Sequence, residues 1–347
     1  MQHPAWLGTR WPLIQAPMAG VQGSALALAV SHAGALGSLP AAMLSTEALR
    51  AELSALRSGT SQPYNVNFFC HVPPVPDAAA EARWREALAP YYAEYGINAS
   101  AIAAGAGRTP FSAEAAELVE QFRPPVVSFH FGLPAPALLA RVKAAGAKVL
   151  GCATTVDEAR WLQAHGADAI IAQGVEAGGH RGMFLTRDLD TQLGTFALLP
   201  QVVRAVSVPV IAAGGIADAQ GVAAALALGA TGVQVGTAYL LCPEATTSAV
   251  HRTALRSADA AHTALTNLFS GRPARGIVNR LMRERGPLSA LAPAFPLATA
   301  AVAPLRARAE AQERGDFSPL WCGQNASGCK AIAAAALTHE LATAFTP

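Results

Sequence analysis

The sequence predicts a (β/α)8 barrel, a TIM barrel of the α/β class, carrying a smaller, mainly helical second domain. Three observations lead there. Short apolar strands alternate with helices eight times between residue 12 and residue 238. That rhythm produces right-handed crossovers and a parallel sheet, and eight units are the number that closes a barrel. Glycines follow the last two strands, in Ala213-Gly-Gly215 and Gly236-Thr237, where barrels commonly bind phosphate. The competing fold, a doubly wound open sheet, carries a dinucleotide fingerprint after its first strand. Here that loop reads Pro17-Met-Ala-Gly-Val-Gln-Gly23 instead of GxGxxG, and there is no P-loop.

In chain order, residues 12–16 form the first strand, stopped by Pro17. Residues 24–33 form a helix with Ser24 near its cap, ended by Gly34. The second strand spans 35–38, and a helix over 44–56 takes Ser45 or Thr46 as its cap. The third strand, 64–69, puts Asn67 and Phe69 on one face by its period of two. An irregular insertion over about 70–110 follows, broken by Pro73, Pro74 and Pro76 and holding one surface helix at 78–95. A helix at 112–122 leads to the fourth strand, 126–130, and a helix at 136–145 stops at Gly146. The fifth strand is 148–152. Thr155 caps the helix 156–165, with Asp157 and Glu158 at its positive end. The sixth strand, 169–173, runs into the glycine-rich turn of Gly174-Val-Glu-Ala-Gly-Gly-His-Arg-Gly182. A helix at 195–205, the seventh strand at 208–213, an Asp218-capped helix at 219–228 and the eighth strand at 232–235 complete the barrel. The barrel domain is therefore 1–238. Residues 239–347 show no strand rhythm and read as helices with loops at 270–277 and 314–324, a substrate or lid domain whose last helix returns to the barrel.

A chain of 347 residues that is 52% apolar has the material for one large core or two smaller ones. Charged residues make up 14% and the net charge is +2, so no field is available to draw in nucleic acid or an anionic membrane. Five scattered cysteines with no CxxC pair and no zinc spacing suit reduced thiols in the cytoplasm. Residues 1–10 lack the basic-then-apolar build of a signal peptide. Two uncharged runs, 18–46 and 222–241, read as strand-plus-helix pairs, not membrane spans, because glycines and polar residues interrupt them where the elements meet.

The carboxyl edge of the strands collects Met18, Asn67, His130, Gln173 and His180. No paired carboxylates appear there, which excludes glycosidase chemistry, and no acidic companions make His130 and His180 a metal site. Asp168 precedes its strand and so belongs to the far, structural end. Glu176 is a loop residue without an assigned role, and the basic stretches 272–276 and 281–286 read as a solvated face. Amides, backbone and one histidine make a neutral site. Such a site suits an organic cofactor that brings its own chemistry. The bland alternative for the stretch ending at His180 is an ordinary strand-to-loop connection with an incidental histidine.

The succession Gln15-Ala-Pro-Met-Ala-Gly20, Asn65-Val-Asn67, Gln173 with Glu-Ala-Gly-Gly-His180, Ala212-Ala-Gly-Gly-Ile216 and Gln234-Val-Gly-Thr237 resembles the nitronate monooxygenases, formerly called 2-nitropropane dioxygenases. The resemblance covers 12–285 and continues weakly to Leu320-Trp-Cys-Gly-Gln324; Ser270-Gly-Arg-Pro273 resembles the family's class I branch. It implies FMN at the strand ends of a TIM barrel. Met18 and Asn67 would lie against the flavin, Gln173 and Gly178 on its ring or ribityl chain, and Gly215 with Gln234, Val235, Gly236 and Thr237 on its phosphate. Ala16, Pro17, Gly179, Ala213, Gly214 and Gln324 complete the implied cofactor set, and His180 is the implied catalytic base. The implied reaction is oxidation of an alkyl nitronate, or a neutral nitroalkane after proton removal, by one-electron transfer to FMN. Oxygen captures the radicals, and carbonyl compound and nitrite leave. The implied partners are thus a nitronate and O2, with no nucleic acid and no membrane, in a monomer or homodimer. The same scaffold also carries FMN-dependent NAD(P)H reductases of enoyl-acyl-carrier-protein or quinone type, and a non-catalytic FMN-binding protein is a third reading. Cys322 and Asn325-Ala-Ser-Gly-Cys-Lys330 depart from the family pattern.

Overall fold

The computed structural model describes residues 6–102 and 108–345, so the readings of the first five residues and of the middle of the insertion lie outside the described residues. The strands are β1 (Leu13–Gln15), β2 (Gly37–Pro40), β3 (Tyr64–Phe69), β4 (Val126–His130), β5 (Lys148–Ala153), β6 (Ala169–Gln173), β7 (Gly179–His180), β8 (Val210–Ala213), β9 (Gly232–Val235), β10 (Thr263–Thr266) and β11 (Ala274–Ile277). All but β7, β10 and β11 form one parallel sheet in the order β1-β9-β8-β6-β5-β4-β3-β2. Its ends meet where Ile14 bridges Leu36 in parallel. There Leu36 N donates to Leu13 O at 2.8 Å and Gln15 N donates to Leu36 O at 3.0 Å. The sheet closes on itself, and the fold is the (β/α)8 TIM barrel that the βα rhythm predicts.

Strand residues alternate between two cores, as the period of two requires. Ile14, Leu36, Leu150, Ile171 and Ile211 pack in one buried cluster inside the barrel, while their neighbours Leu13, Ile170, Ala172, Ala212 and Val233 pack against the helices. Nearer the carboxyl edge the interior is polar. Asn65 Nδ2 donates to Ser38 Oγ at 3.0 Å and to Ser128 Oγ at 2.9 Å, and Asn67 Nδ2 donates to Ser128 Oγ at 2.9 Å. Gln15 Nε2 donates to Gln22 Oε1 at 2.7 Å. Buried amides paired in this way hold one another's rotamers, so the floor of the carboxyl-edge cavity is rigid.

The helix over 78–95 is not a surface element. In the helix Ala78–Glu94, Trp84, Leu88, Tyr91 and Tyr92 are buried against Ala298–Glu310, Leu268, Phe269 and Phe317. The insertion and the C-terminal third thus share a second core. The signal was present: positions 84, 88, 91, 92 and 95 form an apolar stripe at helical spacing. The C-terminal third also holds two strands: β11 falls in the predicted loop 270–277, and β10 in a stretch the sequence pattern reads as helical. β10, β11 and β7 make an antiparallel sheet in which His180 faces Ala274 and Gly179 faces Arg275. Four-residue strands show too little alternation to be read locally, and their partner lies far away in the chain. The helix Ala334–Ala342 packs on the helices Ser24–His32 and Ala219–Ala227 through Leu337 and Leu341.

Ser45, Thr155 and Asp218 cap their helices as their sequences suggest. Ser24 does not cap. The helix begins after Gly23, and Glu52 from the next helix accepts a hydrogen bond from Ser24 N at 2.6 Å. Among the described residues no helix is long and apolar enough to cross a membrane, and no group of three or more His, Cys, Asp or Glu side chains is placed to hold a metal ion.

Candidate active site

A cavity of about 450 Å³ opens at the carboxyl edge of the barrel. The β1 edge contributes Ala16, Pro17 and Met18, β3 contributes Asn67, and β6 with its loop contributes Gln173, Gly178, Gly179 and His180. The β8 end supplies Ala213, Gly214 and Gly215, and the β9 end supplies Gln234, Gly236 and Thr237. Two expected residues are not on the wall. Val235 points outward into the core shared with the helices, because it alternates with Gln234. Gln324 has an exposed side chain, and its N–H is bound by Glu176 O at 2.9 Å. Its neighbours Gly323 and Asn325 line the cavity instead.

His180 stands at the centre. Its Nε2 lies 2.8 Å from Ser270 Oγ. Phe69, Phe131, Phe295 and Trp321 surround the ring, with centroids 6.3, 6.1, 5.4 and 5.5 Å away. Burial in this apolar box pushes its pKa well below the usual histidine value. The positive charge of Arg108 adds to the shift, followed by His130, Arg272 and His71. The imidazole is therefore neutral at physiological pH, but it is a weaker base than an ordinary histidine. An ordinary histidine titrates near neutrality, and burial overrides that here.

Polar groups pin the loop that carries His180. Gln173 Nε2 donates to His180 O at 3.1 Å, while Gln173 Oε1 accepts from Gly182 N at 2.8 Å. Both ends of that amide thus hold the loop in place. The fully buried Arg181 donates to Gly174 O at 2.7 Å, to Gln173 O at 2.8 Å and to Gln192 Oε1 at 3.0 Å. Glu176, which carries no role in the sequence pattern, accepts from Thr195 N at 2.8 Å and Thr195 Oγ1 at 2.9 Å and ties the loop to the next helix. Asp168 lies at the other end of β6. It accepts from Val149 N and pairs with Lys143, the structural place expected of it.

The stretch that departs from the family pattern braces the β8 and β9 ends. Gly323 N donates to Thr237 Oγ1 at 2.9 Å, and Asn325 Nδ2 donates to Gly215 O at 3.1 Å. Burial raises the thiols of Cys322 and Cys329 to about 12 and about 11, so both stay protonated. Lys330 pairs with Glu340. Gly178 packs directly on this stretch: a Cβ there would lie 2.6 Å from Gly323 N and 2.7 Å from the Cys322 carbonyl carbon. Gly178→Ala is therefore expected to cost about 1–3 kcal/mol by overpacking against backbone. Thermal unfolding against wild type measures this.

The site is less neutral than its strand ends suggest. Arg108, from the irregular insertion, lines the cavity, and no carboxylate among the described residues pairs with it. Neither Arg108 nor the aromatic box left a local sequence signal; Ser270 lay in the Ser-Gly-Arg-Pro stretch but without a role. His130 and His251 are also held neutral by burial, at about 3 and about 4. Each is depressed relative to the unfolded chain, so the unfolded state binds more protons below pH 6.5. Their contribution is complete above that pH and is lost as pH falls toward 4 and then 3. Urea midpoints taken at pH 7.5, 6 and 4.5 are expected to fall progressively.

The family model described as nitronate monooxygenase matches residues 4–344. A nitronate monooxygenase of Pseudomonas aeruginosa is 43% identical over 340 residues, covering 96% of each chain. One of Paraburkholderia phytofirmans is 42% identical over 338 residues, covering 96% of this chain and 92% of the other. Among solved structures, a nitroalkane oxidase from Streptomyces ansochromogenes is similar at a TM-score of 0.89 and 39% identity, with 99% of both chains covered. FabK from Thermotoga maritima is similar at a TM-score of 0.71 and 28% identity, covering 98% of this chain and 94% of that one.

Proposed function

The chain belongs to the nitronate monooxygenase family, and on that premise we propose that it oxidises alkyl nitronates, and neutral nitroalkanes after proton removal, to carbonyl compound and nitrite with O2 and bound FMN. The observation that carries the reading is His180: a neutral imidazole, fixed at its Nε2 by Ser270 Oγ, on the wall of the cavity and boxed in by Phe69, Phe131, Phe295 and Trp321. A neutral histidine can accept a proton, and an apolar box keeps water away from a reactive carbon centre.

Features of the cavity fit FMN. Gln234 Oε1 is buried on its wall without a hydrogen-bond partner, an acceptor suited to a ligand N–H or O–H. Gly214 and Gly215 take φ of +109° and +74°, a backbone turn that favours glycine. With Gly236 and Thr237 they present bare backbone where a phosphate would be held. When bound, FMN supplies the one-electron acceptor that no side chain here provides. The protein's own groups do the rest. His180 takes the α-proton of a neutral nitroalkane, Ser270 and Gln173 keep the ring and its loop in register, and the aromatic box excludes solvent.

The test is oxygen uptake and nitrite release with ethylnitronate in the absence of any nicotinamide nucleotide. Nitrite formed as oxygen is consumed is the expected result. Absence of nitrite, together with NADH oxidation in a separate assay to which NADH is added, would move the chain to the reductases sharing this scaffold.

A further inference from the structure

We propose that the guanidinium of Arg108 holds the two nitrogen-bound oxygens of the substrate, so that this cavity pairs a neutral base with a fixed cation. The inference rests on the reaction proposed above. The charged side chains on the cavity wall, among the described residues, are Arg108, Glu176, Arg306 and Glu310. Glu176 is engaged by Thr195, and Arg306 pairs with Glu310 at 2.8 Å. Arg108 alone of the four has no hydrogen-bond or ion-pair partner among the described residues, and its Nη1 is buried. An unpaired cation next to apolar surface is costly, and an anionic ligand is the group that would satisfy it.

Its position suits this task. The Arg108 Cζ lies 5.3 Å from the centre of the Phe295 ring, and the His180 ring lies 5.4 Å from the same centre. Cation and base both line the same cavity. His71 fixes the backbone there: its Nε2 lies 3.0 Å from Arg108 O and its ring meets Phe295 edge-on at 4.9 Å. The influence of Arg108 on the His180 pKa, second only to burial, is consistent with that proximity.

The chemistry gives the pair a purpose. A planar guanidinium fork matches two oxygens on one atom, as it matches a carboxylate. When His180 removes the α-proton, the C–H bond breaks, its electron pair becomes the C=N bond, and a full negative charge spreads over the two oxygens. The proton goes to the imidazole, and no electron leaves the pair of molecules in this step. The charge on the oxygens grows during that step, so Arg108 stabilises the product more than the reactant. A weak base can then deprotonate a carbon acid that is more acidic in the cavity than in water.

The test compares flavin-loaded wild type with Arg108→Gln and Arg108→Lys. Inorganic nitrate, a planar and unreactive anion, serves as a binding probe by calorimetry. Arg108→Gln is expected to weaken nitrate binding and raise KM for ethylnitronate by roughly 10- to 100-fold, and to lower kcat/KM for nitroethane at least as much. Arg108→Lys is expected to recover part of each. If Arg108→Gln, with full flavin content, binds nitrate and ethylnitronate as wild type does, the inference is wrong even though nitrite is still produced. If wild type binds nitrate through Arg108 but yields no nitrite from ethylnitronate, the proposed reaction falls and the anion site stands.

Discussion

Replacing His180 by asparagine is expected to lower kcat/KM for a neutral nitroalkane by roughly 10²- to 10⁴-fold, and for the corresponding nitronate by no more than about tenfold. Asparagine occupies similar space and can still meet Ser270, 2.8 Å from the imidazole in the native chain. It cannot take a proton at neutral pH. A nitronate arrives already deprotonated and needs only to be placed, so the two substrates separate base catalysis from positioning. Steady-state kinetics on both, with flavin content matched to wild type, measure the difference. Equal losses on the two substrates would assign His180 to positioning alone.

Glu158→Ala is expected to be among the most destabilising single changes in the barrel. The side chain is fully buried, and its carboxylate accepts four hydrogen bonds. Thr154 N donates at 2.7 Å and Thr154 Oγ1 at 2.8 Å. Phe184 N donates at 2.6 Å and Leu185 N at 3.2 Å. One side chain thus joins the end of β5 to the segment that follows His180. Truncation strands the Thr154 N–H in the interior, frees the N–H groups of Phe184 and Leu185, and leaves a buried space, a loss of about 3–5 kcal/mol. In a chain of this size that lowers Tm by roughly 5 °C. Glu158→Gln keeps an acceptor and is expected to lose less. Calorimetric unfolding of both variants decides the point.

Much of the barrel could be read locally because each element carries its own punctuation. Asp218 starts a helix, Gly229 ends it, and a short apolar run follows. The glycines after β8 and β9 and the His180 turn were legible for the same reason, since backbone freedom at a strand end leaves a compositional mark. What was not legible depends on distant partners. Glu158 looked like a helix-terminus charge, yet its bonds reach more than twenty residues along the chain. β11 becomes a strand only by pairing with β10 and with His180 itself. Arg108 lies outside the helix of the insertion, in a stretch with no periodicity, so nothing local aims it at the cavity. Val235 and Gln324 belong to contiguous motifs, yet strand alternation turns the Val235 side chain away from the cavity and the Gln324 side chain lies in solvent.

The most direct test of the central claim is anaerobic mixing of the purified, flavin-loaded protein with ethylnitronate and, separately, with NADH. Flavin absorbance is followed in both, and the cofactor is identified after denaturation. The expected result is release of FMN, rapid loss of oxidised-flavin absorbance with ethylnitronate, and no change at catalytic rates with NADH. Rapid bleaching by NADH with no response to ethylnitronate would contradict it.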